Sequence, residues 1–221
     1  QSVNNAWDVY AMSTYNTITS IAESPINESQ LYVGTDDGYI QYSNNGGQKW
    51  NKVGVSSFKD VPARTYVNDI KADLYDEKTA YAALDAHKQG NYKPFLFKTT
   101  DGGKTWKSIS SNLPDNHYAW RIVQDHVDPN LLFIGTEFGI WATNNGGDSW
   151  KQLKSGLPTI SIRDLAIHKG ENDLVAASFG RSFYILDDYS YMRNLDVKTL
   201  EDNAVLFPIA DCHLYYPVRD G

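Results

Sequence analysis

The string Ser/Thr-x-Asp/Asn-x-Gly-x-x-Trp occurs three times, and it constrains the fold more than any other feature of this chain. It reads S-N-N-G-G-Q-K-W over 43–50, T-T-D-G-G-K-T-W over 99–106 and T-N-N-G-G-D-S-W over 143–150. The three tryptophans, Trp50, Trp106 and Trp150, lie 56 and 44 residues apart. A string returning at such intervals marks a repeated supersecondary unit. The flanks repeat as well. Each string follows a β-rich run: "QLYVGTDDG" (30–38), "TAYAALDAH" (79–87) and "NLLFIGTEFG" (130–139). Each of those follows another alternating run: "ITSIAESP" (18–25), "VNDIKADL" (67–74) and "WRIVQDHV" (120–127). A fourth unit keeps the order with "IRDLAIHK" (162–169), "DLVAASFG" (173–180) and "SFYILDD" (182–188), but carries no box.

Alternation at period two reads as half-buried strands. Units of about 40–50 residues holding four short strands are the signature of propeller blades. The expectation is therefore all-β: a β-propeller of four-stranded antiparallel blades, with box turns between the third and fourth strands. Blades are placed at 15–55, 56–110, 111–155 and 156–190. Residues 1–14 read as the tail of a preceding blade, and 191–221 as a closing strand or a linker to a further domain. Propellers typically close with about 4–8 blades. These four are expected to form part of a larger propeller, with the remaining blades coming from the same polypeptide or another chain.

The box residues have a structural explanation. Gly47, Gly103 and Gly147 supply the positive φ of a tight turn. Asn45, Asp101 and Asn145 accept backbone N–H groups across it, and Ser43, Thr99 and Thr143 add a hydroxyl. Trp50, Trp106 and Trp150 bring a large apolar area to pack on a neighbouring blade. Asn in two boxes out of three argues against catalysis, because an amide cannot trade protons. It also argues against calcium, because the charged ligand is missing there.

Composition narrows the function. The formal net charge of −7 disfavours a nucleic-acid partner, whose binding surface is normally basic. Cys212 is the single cysteine, so no intrachain disulfide and no zinc-type cysteine pair is available. No cofactor and no metal site is expected. No apolar run approaches the roughly 20 residues of a membrane span. The chain starts at Gln1 without a signal peptide, and reads as a processed or excised piece.

The boxes resemble the Asp boxes, or bacterial neuraminidase repeats, of sialidases, sortilin-type receptors and xyloglucan-specific endoglucanases. The longer order "VGTDDGYIQYSNNGGQKW", "PFLFKTTDGGKTWKSIS", "LLFIGTEFGIWATNNGGDSWKQLKSGLP" and "SFGRSFYILDD" is similar to the closing blades of large bacterial sortilin-like or glycosyl-hydrolase-like repeat proteins. The resemblance covers about residues 15–190. It implies a larger propeller with further domains and a secreted, periplasmic or cell-surface location. Those relatives carry His-Gly-Arg where this chain has Phe179-Gly180-Arg181, so any role of that histidine is absent here.

Blade topology sends the second-to-third-strand loops and the starts of the first strands to the face opposite the boxes. Ligand-binding candidates on that face are Asp36, Asp37, Asp85, His87, Tyr92, Trp120, Arg121, Glu137, Arg163 and Arg181. The stretch "DAHKQGNYKP" (85–94) reads as an inserted loop, the kind of segment that carries binding on a rigid scaffold. Each candidate also has a plain reading: a turn for Asp36-Asp37-Gly38, a surface loop for Asp85 and His87, interblade ion pairs for Arg163, Asp164 and Arg181. His126 and His168 read as packed or solvated, and Asp187-Asp188 as a turn cap. The preferred function is an exported binding module that recognises a protein, peptide or glycan over the channel face. The alternative is a sialidase- or xyloglucanase-like glycoside hydrolase, with Asp85 and Glu137 as its candidate acids.

Overall fold

The structure is a computed structural model that describes residues 17–154, 156–195 and 204–208. The described residues form four antiparallel sheets, each built from strands consecutive in sequence. The first holds β1 (Ile18–Glu23), β2 (Leu31–Thr35), β3 (Tyr39–Ser43) and β4 (Asn51–Gly54). The second holds β5 (Tyr66–Ala72), β6 (Ala80–Ala86), β7 (Asn91–Thr99) and β8 (Lys107–Ser108). The third holds β9 (Ala119–Gln124), β10 (Leu132–Thr136), β11 (Gly139–Thr143) and β12 (Lys151–Leu153). The fourth holds β13 (Ile162–His168), β14 (Asp173–Ser178) and β15 (Phe183–Leu186). The first strands of successive sheets are neighbours, β1 beside β5, β5 beside β9 and β9 beside β13.

Each inner strand carries one residue more than its partner strand at the same point. The register slips between Ile18 and Ser20, Val67 and Asp69, Ala119 and Arg121, and Ile162 and Asp164. Thr19, Asn68, Trp120 and Arg163 are thus the inserted residues of four equivalent bulges, which re-aim a side chain out of the ladder. The first two of these are spent on the next sheet. Thr19 Oγ1 donates to the Val67 carbonyl at 2.6 Å, and Asn68 Nδ2 donates to the Ala119 carbonyl at 2.9 Å. The following residue reciprocates. Ser20 Oγ accepts from the Ile70 N–H at 2.9 Å, and Asp69 Oδ2 accepts from the Ile122 N–H at 3.1 Å.

Between the sheets lie three apolar layers. Tyr32 and Ile40 of the first sheet meet Val67, Ile70 and Phe97 of the second. Tyr81 and Leu96 of the second meet Ile122, Ile134 and Trp150 of the third. Phe133 and Ile140 of the third meet Leu165, Leu174 and Tyr189 at the fourth. Trp150 is fully buried, and its indole N–H donates to the Ile109 carbonyl of the preceding unit at 2.7 Å. Trp106 packs against the layer between the first and second sheets, but Trp50 is 39% exposed. Trp50 stands on the face of the first sheet that no described sheet covers, together with the exposed Ile18 and Ile21. Phe183 and Ile185 are exposed likewise on the far face of the fourth sheet.

The three box turns share one bonding scheme. In the second sheet the Thr99 hydroxyl donates to Asp101 Oδ1 at 2.8 Å and accepts from the Gly103 N–H at 3.0 Å. Asp101 Oδ1 also accepts from the Thr105 N–H at 2.9 Å. Ser43, Asn45, Gly47 and Lys49 repeat this in the first sheet, and Thr143, Asn145, Gly147 and Ser149 in the third. An amide oxygen replaces the carboxylate in two of them without changing the pattern. The close approach at Gly103 is steric too, because a Cβ there would lie 2.8 Å from Cγ of Tyr42.

One expectation needs correction. Residues 85–94 are not a free loop. Strands β6 and β7 run past their counterparts, pairing Ala86 with Asn91 around a single 3-10 turn at His87–Gln89. The fourth sheet has three strands among the described residues, matching the three runs read at 162–169, 173–180 and 182–188, and the closing strand expected within 191–221 falls mostly outside them. Its third strand ends at Asp187-Asp188, and Asp188 caps a 3-10 helix, Tyr189–Asn194, by accepting the Ser190 N–H at 3.2 Å. That helix is tied to the third sheet by Asp125. The Asp125 carboxylate takes two bonds of 2.8 Å from Arg193 and one of 2.6 Å from the Tyr189 hydroxyl. Residues 1–14, Cys212 and most of 191–221 lie outside the described residues.

Candidate functional site

Strand direction decides which side chains share an end of the sheets. The box turns and first-to-second-strand turns lie at one end. The second-to-third-strand turns lie at the other, beside the starts of the inner strands. At that second end the bulges of the third and fourth sheets project Trp120 and Arg163 rather than the small polar residues found in the first two. The Arg163 guanidinium carbon sits 3.6 Å from the Trp120 ring centroid, within the range of a cation–π contact. Arg163 Nε also donates to Ser161 Oγ at 2.8 Å, and its NH2 lies 3.6 Å from Glu137.

Glu137, in the β10–β11 turn, gathers donors. Its Oε2 accepts from the Trp120 indole N–H at 3.0 Å and from the Ser161 hydroxyl at 2.9 Å. Tyr118 adds its hydroxyl. Burial, followed by the charge and hydrogen bond of Glu137, pushes the Tyr118 phenol up to about 12.

Tyr118 extends the cluster to the second sheet. The His87 ring stacks on it at 5.3 Å between centroids, Trp120 meets it edge-on at 5.2 Å, and Tyr92 lies at 6.1 Å. His87 is held by the buried Asp85, which accepts the His87 backbone N–H at 2.8 Å and also bonds its ring Nδ1. Phe179 closes the far end, 5.0 Å from the Arg163 guanidinium. The result is a strip of aromatic faces running Tyr92, Tyr118, Trp120, Phe179 across three sheets. One carboxylate, Asp85 or Glu137, supports it on either side of the Tyr118–Trp120 pair.

Six of the ten ligand candidates thus come together: Asp85, His87, Tyr92, Trp120, Glu137 and Arg163. Arg121 belongs to the inner-strand layer, where it bonds Asp69 at 3.2 Å and Asp164 at 3.1 Å. Asp69 is buried, and burial outweighs its cationic neighbours Lys71 and Arg121 to raise its carboxyl above the usual range. Asp36 and Asp37 serve the first sheet. Asp36 Oδ1 accepts the Thr17 N–H at 2.9 Å, and Asp37 accepts the Thr35 hydroxyl at 2.5 Å. Arg181 is exposed in the β14–β15 turn. Sequence reading missed Tyr118, Ser161 and Phe179. Tyr118 had one usable signal, its place two residues before Trp120 in an alternating run. Among the described residues no group of three or more His, Cys, Asp or Glu is arranged to hold a metal. No helix there is long and apolar enough to cross a membrane.

This arrangement of sheets has solved counterparts. An ancestral GH74 enzyme matches with a TM-score of 0.63 at 16% identity, over 79% of this chain and 25% of that one. YCF48 bound to D1 peptide matches at 0.56 and 17% identity, over 78% of this chain and 52% of that one. The β-propeller domain of Cps50 (Swd1) from Myceliophteria thermophila matches at 0.58 and 16% identity, over 82% and 56%. The fold is that of a β-propeller. The chain spans between a quarter and just over half the length of these propeller proteins. No family model and no curated protein sequence matches it. At these identities the likeness fixes the propeller fold, whose blades here are the four sheets, and leaves ligand and activity to the site itself.

Proposed function

We propose that this chain is the ligand-binding part of an exported, larger β-propeller. It recognises a protein, peptide or glycan on the Tyr92–Tyr118–Trp120–Arg163 strip of its loop face. The observation that carries this is the strip: four blade-end elements from three blades contribute rings or a guanidinium to one surface, on rigid strands rather than long loops. Aromatic faces and Arg concentrate binding energy, and rigid placement keeps the entropy cost of binding low. The Asp-box reading of the three turns and the missing blades belong to the same proposal.

The bonding of the two acids favours binding over hydrolysis. Glu137 is committed to Trp120, Ser161 and Tyr118, and Asp85 to His87. Burial and the charge of Glu137 keep the Tyr118 phenol protonated at rest. The glycoside hydrolase reading keeps one specific support: Asp85 and Glu137 flank the same ring pair, as a hydrolytic pair of carboxylates would flank a sugar.

Peptide and glycan arrays probed with the purified chain test the proposal. Any ligand retained by the wild type is expected to bind at least tenfold more weakly to Trp120→Ala and to Tyr92→Ala, while Asp36→Ala binds normally. Retention unaffected by both ring substitutions would move the site elsewhere.

A further inference from the structure

The outer edge of β15 has no strand beside it among the described residues. Next to that edge an open cavity of about 300 Å³ is lined by Ile140, Leu153 and Leu157 of the third blade, by Tyr184 of the fourth, and by Tyr191 and Met192 of the 3-10 helix. The strand registers say what the cavity corresponds to. Ile140 and Leu153 are the counterparts of Leu96 and Ile109 in the second blade. Leu157 follows Leu153 in S-G-L-P as Leu113 follows Ile109 in S-N-L-P. Tyr184 is the counterpart of Trp141. Leu96, Ile109, Leu113 and Trp141 belong to the apolar layer in which Trp150 is buried. The cavity is therefore the fourth blade's counterpart of the tryptophan slot, bordered by Tyr191 and Met192 and holding no indole.

The sequence explains why. In register, Asp188 falls where the third blade has Asn145. The chain there enters the 3-10 helix Tyr189–Asn194 and forms no Gly-Gly turn and no Trp-bearing strand. Edge and slot lie side by side, as they must if one strand fills both.

We infer that this edge and slot receive a single extended strand bearing Trp-x-x-aliphatic, donated from outside residues 1–221. The three internal copies define its chemistry: Trp50-x-x-Val53, Trp106-x-x-Ile109 and Trp150-x-x-Leu153. The strand runs antiparallel to β15, as β12 does to β11, and its backbone satisfies the free edge. Its tryptophan enters between Ile140 and Tyr184, with the Leu153 carbonyl placed to accept the indole N–H as the Ile109 carbonyl does for Trp150. This rests on the propeller architecture and is independent of the loop-face reading.

A labelled peptide G-D-S-W-K-Q-L-K, the chain's own residues 147–154, serves as the probe against the full chain. Saturable one-to-one binding is expected, with slowed amide exchange along β15, and at least tenfold weaker binding when the peptide carries Trp150→Ala. Besides Trp120-x-x-Val123, which is already part of β9, the chain has one more Trp-x-x-apolar string, Trp7-Asp8-Val9-Tyr10. Binding seen only in Trp7→Ala protein means that this string already fills the slot, and overturns the outside donor. No binding to either protein overturns the slot itself.

Discussion

The guanidinium carbon of Arg163 lies 3.6 Å from the Trp120 ring centroid, and both residues are the inserted residue of their inner strand. The same position in the first two blades holds Thr19 and Asn68, which bond the neighbouring backbone. One bulge thus serves two ends: it latches blades together in the first two sheets and stacks a guanidinium on an indole across the last two.

Arg163→Ala is expected to destabilise the chain by about 1 kcal/mol, the sum of a half-exposed cation–π contact and a weak ion pair. Arg163→Lys should recover little of it, because an ammonium cannot stack on Trp120 and bond Ser161 in the same geometry. Urea unfolding midpoints of the two variants check this.

Asp101→Asn should leave stability within roughly 0.5 kcal/mol of the wild type, since Asn45 and Asn145 make the same bonds. Asp101→Ala strands the Thr105 N–H and the Thr99 hydroxyl, and should cost about 1–2 kcal/mol. Equal losses in both variants would mean that the charge matters and the turn-lock account is wrong.

Gly103 has φ +94, and any Cβ there meets the Tyr42 ring. Gly103→Ala is expected to cost about 2 kcal/mol or more. Gly46 has φ +66 with open space around it, so Gly46→Asn should be nearly neutral. Thermal melting of the pair separates the steric demand from the backbone one.

Acid stability should depend on Asp125. Its burial works against the charged form, but the bonds from Arg193 and Tyr189 win and hold its carboxyl down at about 2. A depressed value in the folded state stabilises the fold above the unfolded carboxyl's range near 4, and that contribution fades as pH falls toward 2. It amounts to about 2 kcal/mol at neutral pH. Tyr189→Phe removes one donor and should shift the acid-unfolding midpoint upward in pH.

The repeat made the propeller legible, because a box and two alternating runs recurring in order leave few alternatives. The box turns were legible for the same reason: three copies exposed which positions tolerate an amide. The site was half legible. Asp85, His87, Trp120, Glu137 and Arg163 stood at the right strand ends, but nothing in sequence spacing shows that Tyr118 joins His87 to Glu137. Arg121 read as a ligand candidate, whereas its partners Asp69 and Asp164 lie some 50 and 40 residues away in blades on either side. The extension of β6 and β7 over 80–86 and 91–99 read as a loop, because Gly90 and His87–Gln89 look like loop residues while the ladder continues around them. The slot beside β15 was invisible, since it consists of a missing tryptophan.

Hydrolysis is the measurement that tests the central claim most directly. The purified chain is incubated with aryl glycosides and plant and bacterial polysaccharides, beside Asp85→Asn and Glu137→Gln. A binding propeller gives no turnover with any of the three proteins, while ligand retention is lost in Trp120→Ala. Turnover by the wild type that Glu137→Gln or Asp85→Asn abolishes, with the fold intact, would contradict the account.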